Sequence, residues 1–354
     1  MNKNIALLLK NQASFLSAAS GDGICISTRI RLSRNLDQMP FPIASGEEIS
    51  AKISECVTAA CCKSAVLGGK KCLCFPMGVL DELERQFLLE RHLASCELIK
   101  NRHNSALAVS RDEHCSVMIN EEDHLRIQVL MPGFQLEKCW EKVSTLETEL
   151  AGELSFAWDD QLGYLTECPS NVGTGMRASV MLHLPGLVMT EQIQPTIHGI
   201  NKLGLAVRGV YGEGSDNTGR LYQVSNQVTL GESEESIMEQ LSAVIRQLVE
   251  YERRARRMLM EKDRFALLDH VGRAFGLLHN SYKLGPNEAA EALSALRLGC
   301  DMGLFQHLKK STVNELFMEL GAGHLQMRSG LLLPEAEQSV LRAQICRTKL
   351  REKE

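Results

Sequence analysis

The sequence predicts an α+β protein in which a sheet with flanking helices is followed by a smaller, purely helical part. Residues 24–32 and 176–184 alternate between apolar and polar side chains, with the period of two that a half-buried strand requires. Residues 115–130 indicate two further strands around a polar turn, which predicts a hairpin. From Ser233 onward the apolar residues recur only at helical spacing. These observations place the change from mixed to helical structure near residue 260.

Composition and charge are those of an ordinary globular protein. Hydrophobic residues make up 44% and charged residues 23% of the 354 residues, and the formal net charge is -5. A chain with this charge is not expected to bind nucleic acid through bulk electrostatics. The apolar run from Ile5 to Leu9 is too short for the core of a signal peptide, and no stretch has the length needed to span a membrane. We therefore expect a cytoplasmic protein that binds neither nucleic acid nor a membrane.

The 12 cysteines include two close pairs, Cys61-Cys62 and Cys72-x-Cys74, but no CxxC motif, and the histidines supply no zinc-finger spacing. A chain of this length does not need disulfides to hold its core. We therefore interpret the cysteines as reduced thiols in a cytosolic protein and expect no protein-bound structural metal.

The strand predicted at 24–32 carries Arg29 and Arg31 side by side on its polar face, because side chains two residues apart on a strand point the same way. Arg34 adds a third charge nearby. Parallel guanidinium groups repel each other unless an anion lies between them. The alternative interpretation is a strand face that meets only solvent.

The next stretch predicts two helices and a carboxylate-bearing hairpin. Residues 45–48, Ser-Gly-Glu-Glu, match a capping box ahead of a helix, and residues 79–93 match an amphipathic helix that ends at His92. A histidine there is by itself more typical of a helix end than of a ligand. The turn of the hairpin carries Glu121 and Glu122, and its returning strand carries Arg126. An acidic turn taken alone is usually a solvated loop.

Residues 164–185 combine a cysteine before a proline, Cys168, with a Gly-x-Gly loop and a strand whose polar face begins with Arg177. Bare backbone amides in such a loop can cradle an anion, and the guanidinium can neutralise it. The stretch Gly173-x-Gly175-x-x-Ala178 also matches a dinucleotide fingerprint, but that fingerprint needs a strand before it and a helix after it. Cys168 alone would usually be a small buried apolar residue. Its polar surroundings favour a functional thiol.

A second hairpin-like unit is predicted at 203–230, where Arg208 closes the first strand and a loop with four glycines carries Glu213. An acid on a long glycine-flanked loop suits a lid that closes over a substrate, although a plain glycine-rich turn is the simpler alternative. Beyond it, Glu250 and Glu252 each stand four residues before an arginine. We interpret this as a solvated helix face with ion pairs rather than a nucleic-acid surface. Further helices are predicted at 286–298, 311–320 and 334–351.

Together the loops and strands offer guanidinium groups, two loop carboxylates and one loop thiol. Arginines brought together need a polyanion, and a nucleoside triphosphate is the obvious candidate because phosphoryl transfer is catalysed mostly by positioning and charge neutralisation. Two carboxylates beside it would repel the phosphates unless a cation, such as a substrate guanidinium, lay between. The residues are Arg29, Arg31, Arg126, Arg177, Arg208, Glu122, Glu213 and Cys168.

Four stretches, STRIRLSRN, NEEDHLR, CPSNVGTGMRAS and RGVYGEG, resemble the signature stretches of the phosphagen (guanidino) kinase catalytic domain, in that family's order. RASVMLHLPGL, SNQVTLG and the helical ALSALRLGCDMGL are further similar to the bacterial protein arginine kinases of that family. So is the lack of a separate N-terminal phosphagen-kinase domain. The resemblance implies an antiparallel sheet flanked by helices over residues 1–258 and a small all-helical C-terminal domain over 259–354.

The resemblance also implies roles for individual residues and for cofactors. ATP is expected as the phosphoryl donor, with Mg²⁺ accompanying it. Glu122 and Glu213 are expected to bracket the target guanidinium, with Cys168 as a thiolate beside it. The residues expected to bind ATP are Ser27, Thr28, Arg29, Ile30, Arg31, His92, Arg126, Arg177, Ala178, Ser179, Val180, Met181, Arg208, Gly209, Val210, Tyr211 and Gly212.

These residue types suit the chemistry of the predicted reaction. A guanidinium has a pKa above about 12 and is a poor nucleophile while charged, so a carboxylate must orient it and take a proton as the N–P bond forms. We therefore predict ATP-dependent phosphorylation of arginine side chains in proteins, giving phosphoarginine as a degradation or stress-response mark. The alternatives are a kinase for a small guanidino metabolite and a non-catalytic regulatory adaptor.

The resemblance implies partners and one regulatory site. Protein substrates with exposed arginine, a zinc-binding activator of the McsA kind, a Clp-type protease and a homodimer are expected. Relatives carry an RDxxRA pattern on the C-terminal helix that forms a receptor for phosphoarginine. It aligns here with residues 338–343, where Arg342 and Ala343 remain but Gln338 and Ser339 replace the leading Arg-Asp pair. We expect that receptor to be lost or weakened.

Overall fold

The structure is a computed structural model, which describes residues 1–16, 23–101, 103–209, 217–305 and 308–351. Its residues group into two compact units, each assembled from three chain segments. The first unit comprises Met1–Phe15, Ser27–Ser179 and Ser225–Ser242, and the second comprises Leu16–Ile26, Val180–Val224 and Ala243–Glu354. The segments interleave along the chain, so no single cut separates the units, and the boundary at 258/259 stays a prediction.

The main sheet has eight strands in the order β2-β3-β4-β5-β1-β8-β10-β9. The registered pairs β1–β5, β2–β3, β3–β4 and β4–β5 are antiparallel. The predicted α+β class with an antiparallel sheet is confirmed. The strands are β1 (Cys25–Arg34), β2 (Leu73–Pro76), β3 (Ala106–Val109), β4 (Cys115–Ile119), β5 (Leu125–Pro132), β6 (Trp158–Asp159), β7 (Gly163–Tyr164), β8 (Met176–His183), β9 (Leu205–Gly209) and β10 (Leu221–Asn226).

Helices flank the sheet and make up the chain after β10, as the helical spacing beyond Ser233 predicts. The helices are α1 (Lys3–Lys10), α2 (Glu47–Lys63), α3 (Glu82–Glu90), α4 (Cys96–Lys100), α5 (Leu136–Ala151), α6 (Pro185–Met189), α7 (Ile193–Lys202), α8 (Glu234–Lys262), α9 (Arg264–Asn280), α10 (Pro286–Asp301), α11 (Lys310–Glu319), α12 (Ala322–Ser329) and α13 (Glu335–Arg351). In the described part of the chain, none of them has both the length and the apolar character needed to cross a membrane.

The core of the first unit forms where the apolar faces of β1 and β5 meet. Ile30 lies opposite Val129 and Leu32 opposite Ile127, and all four side chains are fully buried. Burying one such side chain contributes about 1.5–3 kcal/mol of transfer free energy. Because the pleat alternates, this register turns Arg29 and Arg31 to the opposite face of β1.

The start of α2 differs from the predicted capping box. Gly46 is the N-cap residue and supplies no side-chain hydrogen bond, while the Ser45 hydroxyl donates to the Pro42 carbonyl and lies 2.7 Å from the Ser50 hydroxyl. The box prediction was wrong because Ser45 belongs to the preceding turn. A complete capping box stands instead at α3, where the Asp81 carboxylate accepts from the backbone N–H of Glu84.

The second unit contains a buried ion-pair network at a position where the sequence analysis predicts a solvent-exposed helix face. Glu252 is fully buried and Arg256 is 7% exposed, and the Arg256 Nε donates to Glu252 at 2.7 Å. Glu252 also accepts from the backbone N–H groups of Gly186 and Leu187 at the start of α6. The prediction of a solvated face is therefore wrong for this pair, which joins α8 to α6 inside the unit.

Candidate active site

Four arginines meet in the first unit on three neighbouring strands. Arg29 and Arg31 lie on β1, Arg126 on β5 and Arg177 on β8. Loss of water around Arg29 and the charges of Arg126 and Arg177 lower the pKa of Arg29 to about 10. Burial and the three other guanidiniums hold the pKa of Arg31 well below its usual value. The group therefore has an excess of positive charge that an anion would relieve.

The hydrogen bonding of the Arg31 side chain also indicates that the site can accept an anion. Its Nε is buried and has no hydrogen-bond partner among the described residues. A buried donor of this kind costs free energy until a ligand or water satisfies it. A phosphate oxygen would supply both the acceptor and the charge.

The predicted carboxylates at the hairpin tip form a fork with Arg126. Its two terminal nitrogens donate to Glu121 Oε1 and Glu122 Oε2, each at 2.5 Å. Burial raises the pKa of Glu121, and the Ser95 hydroxyl also donates to this carboxylate. The Glu121 side chain is fully buried, whereas that of Glu122 is 35% exposed. Glu121 thus anchors the turn, and Glu122 is the one that a substrate can reach.

A buried polar network, which sequence reasoning missed, joins this turn to the loop of Cys168. The fully buried Asp123 accepts from the Asn35 side chain at 2.7 Å and from the backbone N–H of Glu167 at 2.8 Å, both on Oδ1. The Asn35 side-chain oxygen accepts from the backbone N–H of His124 at 2.9 Å. The network fixes the residues next to Glu122 and Cys168 relative to each other. The polar run Asn-Glu-Glu-Asp-His gave a signal, but nothing in it pointed to Asn35.

Cys168 is half-buried, and its Sγ lies 3.1 Å from the Ser170 hydroxyl. The glycines that follow Cys168 were predicted to leave room for an anion, but in the structure they leave room for other parts of the protein. A Cβ on Gly173 would lie 2.4 Å from the Thr229 carbonyl oxygen, and one on Gly175 would lie 2.6 Å from Arg34 Nη1. The loop is glycine-rich because other groups press against it.

The amides of this loop are likewise engaged within the protein. The N–H of Gly173 donates to Tyr164, that of Thr174 to Thr229, and that of Met176 to the Thr174 hydroxyl. These three amides are therefore not free to cradle an anion, and that part of the prediction was wrong.

Asn226 on β10, which the sequence analysis did not single out, sets the position of β8 at Arg177. Its side-chain oxygen accepts from the backbone N–H of Ala178 at 2.9 Å, and its amide donates to the Met176 carbonyl at 2.9 Å. The two bonds grip the strand on both sides of Arg177.

His92 sits just after α3 with a left-handed backbone, at φ 56°. Its carbonyl accepts from the Gln128 side chain on β5 at 2.8 Å, and its ring packs edge-on against Phe15 with centroids 5.0 Å apart. Loss of water and the charge of Arg29 lower the pKa of His92 to about 4. The ring is therefore neutral at physiological pH and adds no charge to the arginine group.

The remaining predicted ATP-binding residues fall into three sets. Ser27, Thr28, Ile30, Ala178 and Ser179 are buried in the first unit, where the Thr28 hydroxyl donates to the Gly133 carbonyl and accepts from the backbone N–H of Gln135. Four residues lie in the second unit: Val180 and Met181, which are buried, the half-buried Gly209, and the exposed Arg208. The predictions for Val210, Tyr211 and Gly212 lie outside the described residues, as does that for the predicted catalytic residue Glu213.

Comparison with known proteins identifies the family. The family model for the C-terminal catalytic domain of ATP:guanido phosphotransferases matches residues 52–255, and the model for the protein-arginine kinase McsB C-terminal domain matches residues 264–354. A protein-arginine kinase of Brevibacillus brevis is 43% identical over 93% of this chain and 92% of its own length. One of Halothermothrix orenii is 41% identical over 97% of this chain and 98% of its own. The chain belongs to the protein-arginine kinase family.

Solved structures show the same fold as this member of the family. A duplicated taurocyamine kinase of Schistosoma mansoni aligns over 75% of this chain and 38% of its own, with a TM-score of 0.59 and 24% identity. A lombricine kinase aligns over 70% of each chain with a TM-score of 0.57 and 22% identity. The resemblance to phosphagen kinases that the motifs predict is confirmed for family and fold.

The prediction that Cys168 is a functional thiol can be tested by comparing its alkylation rate with those of the buried cysteines. Burial raises the pKa of both Cys300 and Cys346 to about 12, so these thiols hold their protons at neutral pH. Cys168 is half-buried in a polar loop and should alkylate at least tenfold faster than either. Mass-spectrometric mapping of iodoacetamide labelling at pH 7, with and without Mg-ATP, measures this. Equal labelling rates would remove the case for a functional thiol at Cys168.

A second test concerns the lowered pKa of His92, which predicts how the stability of the protein depends on pH. The folded pKa is about 4, below the ordinary value of 6.5, so between these two values the unfolded chain binds the proton that the folded chain rejects. Stability should therefore fall as the pH drops from about 6.5 to 4. His92→Gln should reduce the steepness of that fall, whereas substitution of the exposed His198 should not. Urea unfolding at several pH values measures it, and an unchanged slope in His92→Gln would contradict the assigned environment.

Proposed function

We propose that this chain transfers the γ-phosphoryl group of ATP to arginine side chains of proteins. The observation that carries the proposal is the group of four mutually repelling guanidiniums beside the carboxylate pair Glu121–Glu122. An anion such as a triphosphate would relieve the arginine group, and a cation such as a substrate guanidinium would suit the accessible carboxylate of Glu122. Relatives that match almost the whole chain bear the name protein-arginine kinase.

The donor side of the proposed reaction rests on the arginines. Arg29, Arg31, Arg126 and Arg177 would spread the charge of the phosphates and hold the γ-phosphorus in line with the acceptor nitrogen. Mg²⁺ would arrive with the triphosphate and neutralise further charge there. Within the described ranges no cluster of three ligating side chains stands ready to hold a metal on its own. The proposal places Mg²⁺ with the phosphates of ATP.

The acceptor side rests on Glu122, with Glu213 and Cys168 as proposed partners. Arg126 now occupies one oxygen of Glu122. If the phosphates attract Arg126 in the complex, Glu122 is released to hold the substrate guanidinium and to take its proton. Two carboxylates would orient one nitrogen of the planar guanidinium toward the γ-phosphorus.

Product analysis distinguishes this activity from its alternatives. The protein would be incubated with Mg-ATP and an unfolded protein mixture, and in parallel with free arginine. Mass spectrometry under non-acidic conditions should find phosphate on arginine residues, with free arginine a poor acceptor. Phosphorylation of free arginine alone would show a metabolite kinase. Phosphate only on Ser, Thr or Tyr, or none at all, would overturn the proposal.

We also propose the cellular setting that membership of the family suggests. The marked proteins would be substrates of a Clp-type protease in a stress response, and a zinc-binding activator of the McsA kind would stimulate the kinase. The protein would act in the cytoplasm as a homodimer, with residues 1–258 as its catalytic domain and 259–354 as a helical C-terminal domain. Co-purification with tagged Clp and activator proteins tests these partners.

We further propose that the phosphoarginine receptor on α13 is lost or weakened. Arg342 is buried and already donates to the carbonyls of Leu320 and Leu284. The Gln338 amide donates to the Leu333 carbonyl, and the Ser339 hydroxyl donates to the Glu335 carbonyl. Neutral groups in place of an Arg-Asp pair would forfeit charge-assisted bonds worth about 1.5–3 kcal/mol each, or at least tenfold in affinity. Calorimetry with free phosphoarginine and a Glu213→Ala variant checks this. Low-micromolar binding would show that the receptor survives.

A further inference from the structure

Three thiols in the first unit form a chain of contacts far along the sequence from Cys168. Cys62 lies in the last turn of α2, Cys72 directly precedes β2, and Cys74 lies within β2. The Cys62 and Cys74 sulfurs are 3.6 Å apart, and the Cys74 and Cys72 sulfurs are 4.0 Å apart. All three residues are half-buried, so a small reagent can reach them. We call this group the thiol cluster.

The Cys62 and Cys74 sulfurs already touch each other, which is the starting arrangement that a disulfide between them needs. A disulfide has an S–S distance of about 2.05 Å, so closing the bond requires the two sulfurs to approach by roughly 1.5 Å. The intervening chain turns back through Gly68 and Gly69, both at positive φ. The turn thus brings the end of α2 back to Cys74 on β2, which is an edge strand of the sheet.

We propose that the thiol cluster is a redox modification site, in which Cys62 and Cys74 form a reversible disulfide by exchange with a low-molecular-weight disulfide. One protein thiolate attacks the reagent, forms a mixed disulfide and releases one small thiol. The second protein thiolate then attacks the protein sulfur of that mixed disulfide and releases the other small thiol. Two protein thiols are oxidised, and the reagent is reduced to two thiols. The reverse exchange with two low-molecular-weight thiols restores both protein thiols and regenerates the small disulfide.

The cluster should respond slowly rather than at once. Burial raises the pKa of Cys62, and the hydrogen bond with Cys72 together with burial raises that of Cys74. Since the thiolate is the attacking form, few molecules are reactive at neutral pH. The rate of exchange should therefore rise with pH. A sustained oxidising environment, not a brief exposure, would close the bond.

Closure would fasten a helix that touches the catalytic hairpin. At the other end of α2, the Ser50 carbonyl accepts from the side chain of Asn120, which directly precedes Glu121. The bond would join residues 12 positions apart and restrict the unfolded chain accordingly. For such a loop we expect an apparent melting temperature higher by on the order of 5 °C.

Peptide mapping tests the proposal directly in a Cys168→Ser background, which removes the thiol of the candidate active site. The protein would be incubated with oxidised glutathione at pH 8, blocked with iodoacetamide and digested with trypsin without reduction. Cleavage after Lys52, Lys63, Lys71 and Arg85 leaves Cys62 in residues 53–63 and Cys74 in residues 72–85. The expected product is these two peptides joined, and dithiothreitol should separate them.

Matched variants assign the bond. Cys62→Ser and Cys74→Ser should each abolish the joined peptides and the rise in melting temperature, whereas Cys72→Ser should keep both. The exposed Cys96 should carry a lasting glutathione adduct and serves as the control for reagent access. Glutathione retained on Cys62 or Cys74, a bond confined to residues 72–85, or no reaction while Cys96 is modified would each overturn the proposal. Kinase activity is not the readout, so failure here leaves the proposed function untouched.

Discussion

Replacing Glu122 by glutamine should lower the turnover number about 10²–10⁴-fold and leave the fold intact, because a positioned acid–base group typically contributes that much. Glutamine keeps an oxygen that can accept from Arg126, so the hairpin retains its contact, but it cannot take a proton from the substrate. Glu122→Ala and Glu213→Ala should be at least as damaging.

The matched control is Glu121→Gln. The Glu121 carboxylate accepts from the same Arg126 guanidinium at the same distance of 2.5 Å, but it is fully buried, so a substrate cannot reach it. We expect Glu121→Gln to retain far more turnover than Glu122→Gln. Initial rates with an unfolded protein substrate, with circular dichroism as the check on folding, decide between them. Near-normal turnover in Glu122→Gln would exclude this residue as the base.

Replacing Arg31 by methionine should act in opposite directions on ATP binding and on stability. The affinity for Mg-ATP should fall about 10–100-fold, since one or more charge-assisted bonds to phosphate would be lost. The free protein should become more stable. The folded state lowers the pKa of Arg31, which means that keeping this guanidinium charged at neutral pH costs folding free energy, and methionine removes that cost.

Arg34, three residues along the same strand, provides the contrast. Arg34 is almost fully buried, whereas Arg31 is half-buried. The Arg34 Nε donates to Glu147 at 2.6 Å and its Nη1 donates to the Ser33 and Thr174 carbonyls. Arg34→Met would leave these acceptors without a donor and should destabilise the protein by several kcal/mol. Thermal unfolding of both variants, with and without Mg-ATP, measures the difference. If Arg31→Met proved as unstable as Arg34→Met, the repulsion assigned to the arginine group would be wrong.

The sequence by itself determined the fold class, the family and the residue types of the candidate site. These follow from local patterns, since the period of two in β1 fixes which face carries Arg29 and Arg31, and helical spacing predicts α10, α11 and α13 within a helical chain beyond Ser233. The signature stretches are likewise contiguous. Each of these properties depends on residues that are close along the chain, which is why a single sequence reveals them.

Only the tertiary structure decided which hydrogen bonds hold those residues in place and how burial shifts their pKa values. The bond from Asn35 to Asp123 and the bonds from Asn226 to β8 join positions at least 48 residues apart in the chain, and the contact of Cys62 with Cys74 joins a helix to a strand. The burial of the Glu252–Arg256 pair and the crowding at Gly175 likewise reflect neighbours from other segments. Burial and the pKa shifts that it causes depend on every element packed against a group, and no local pattern encodes that sum.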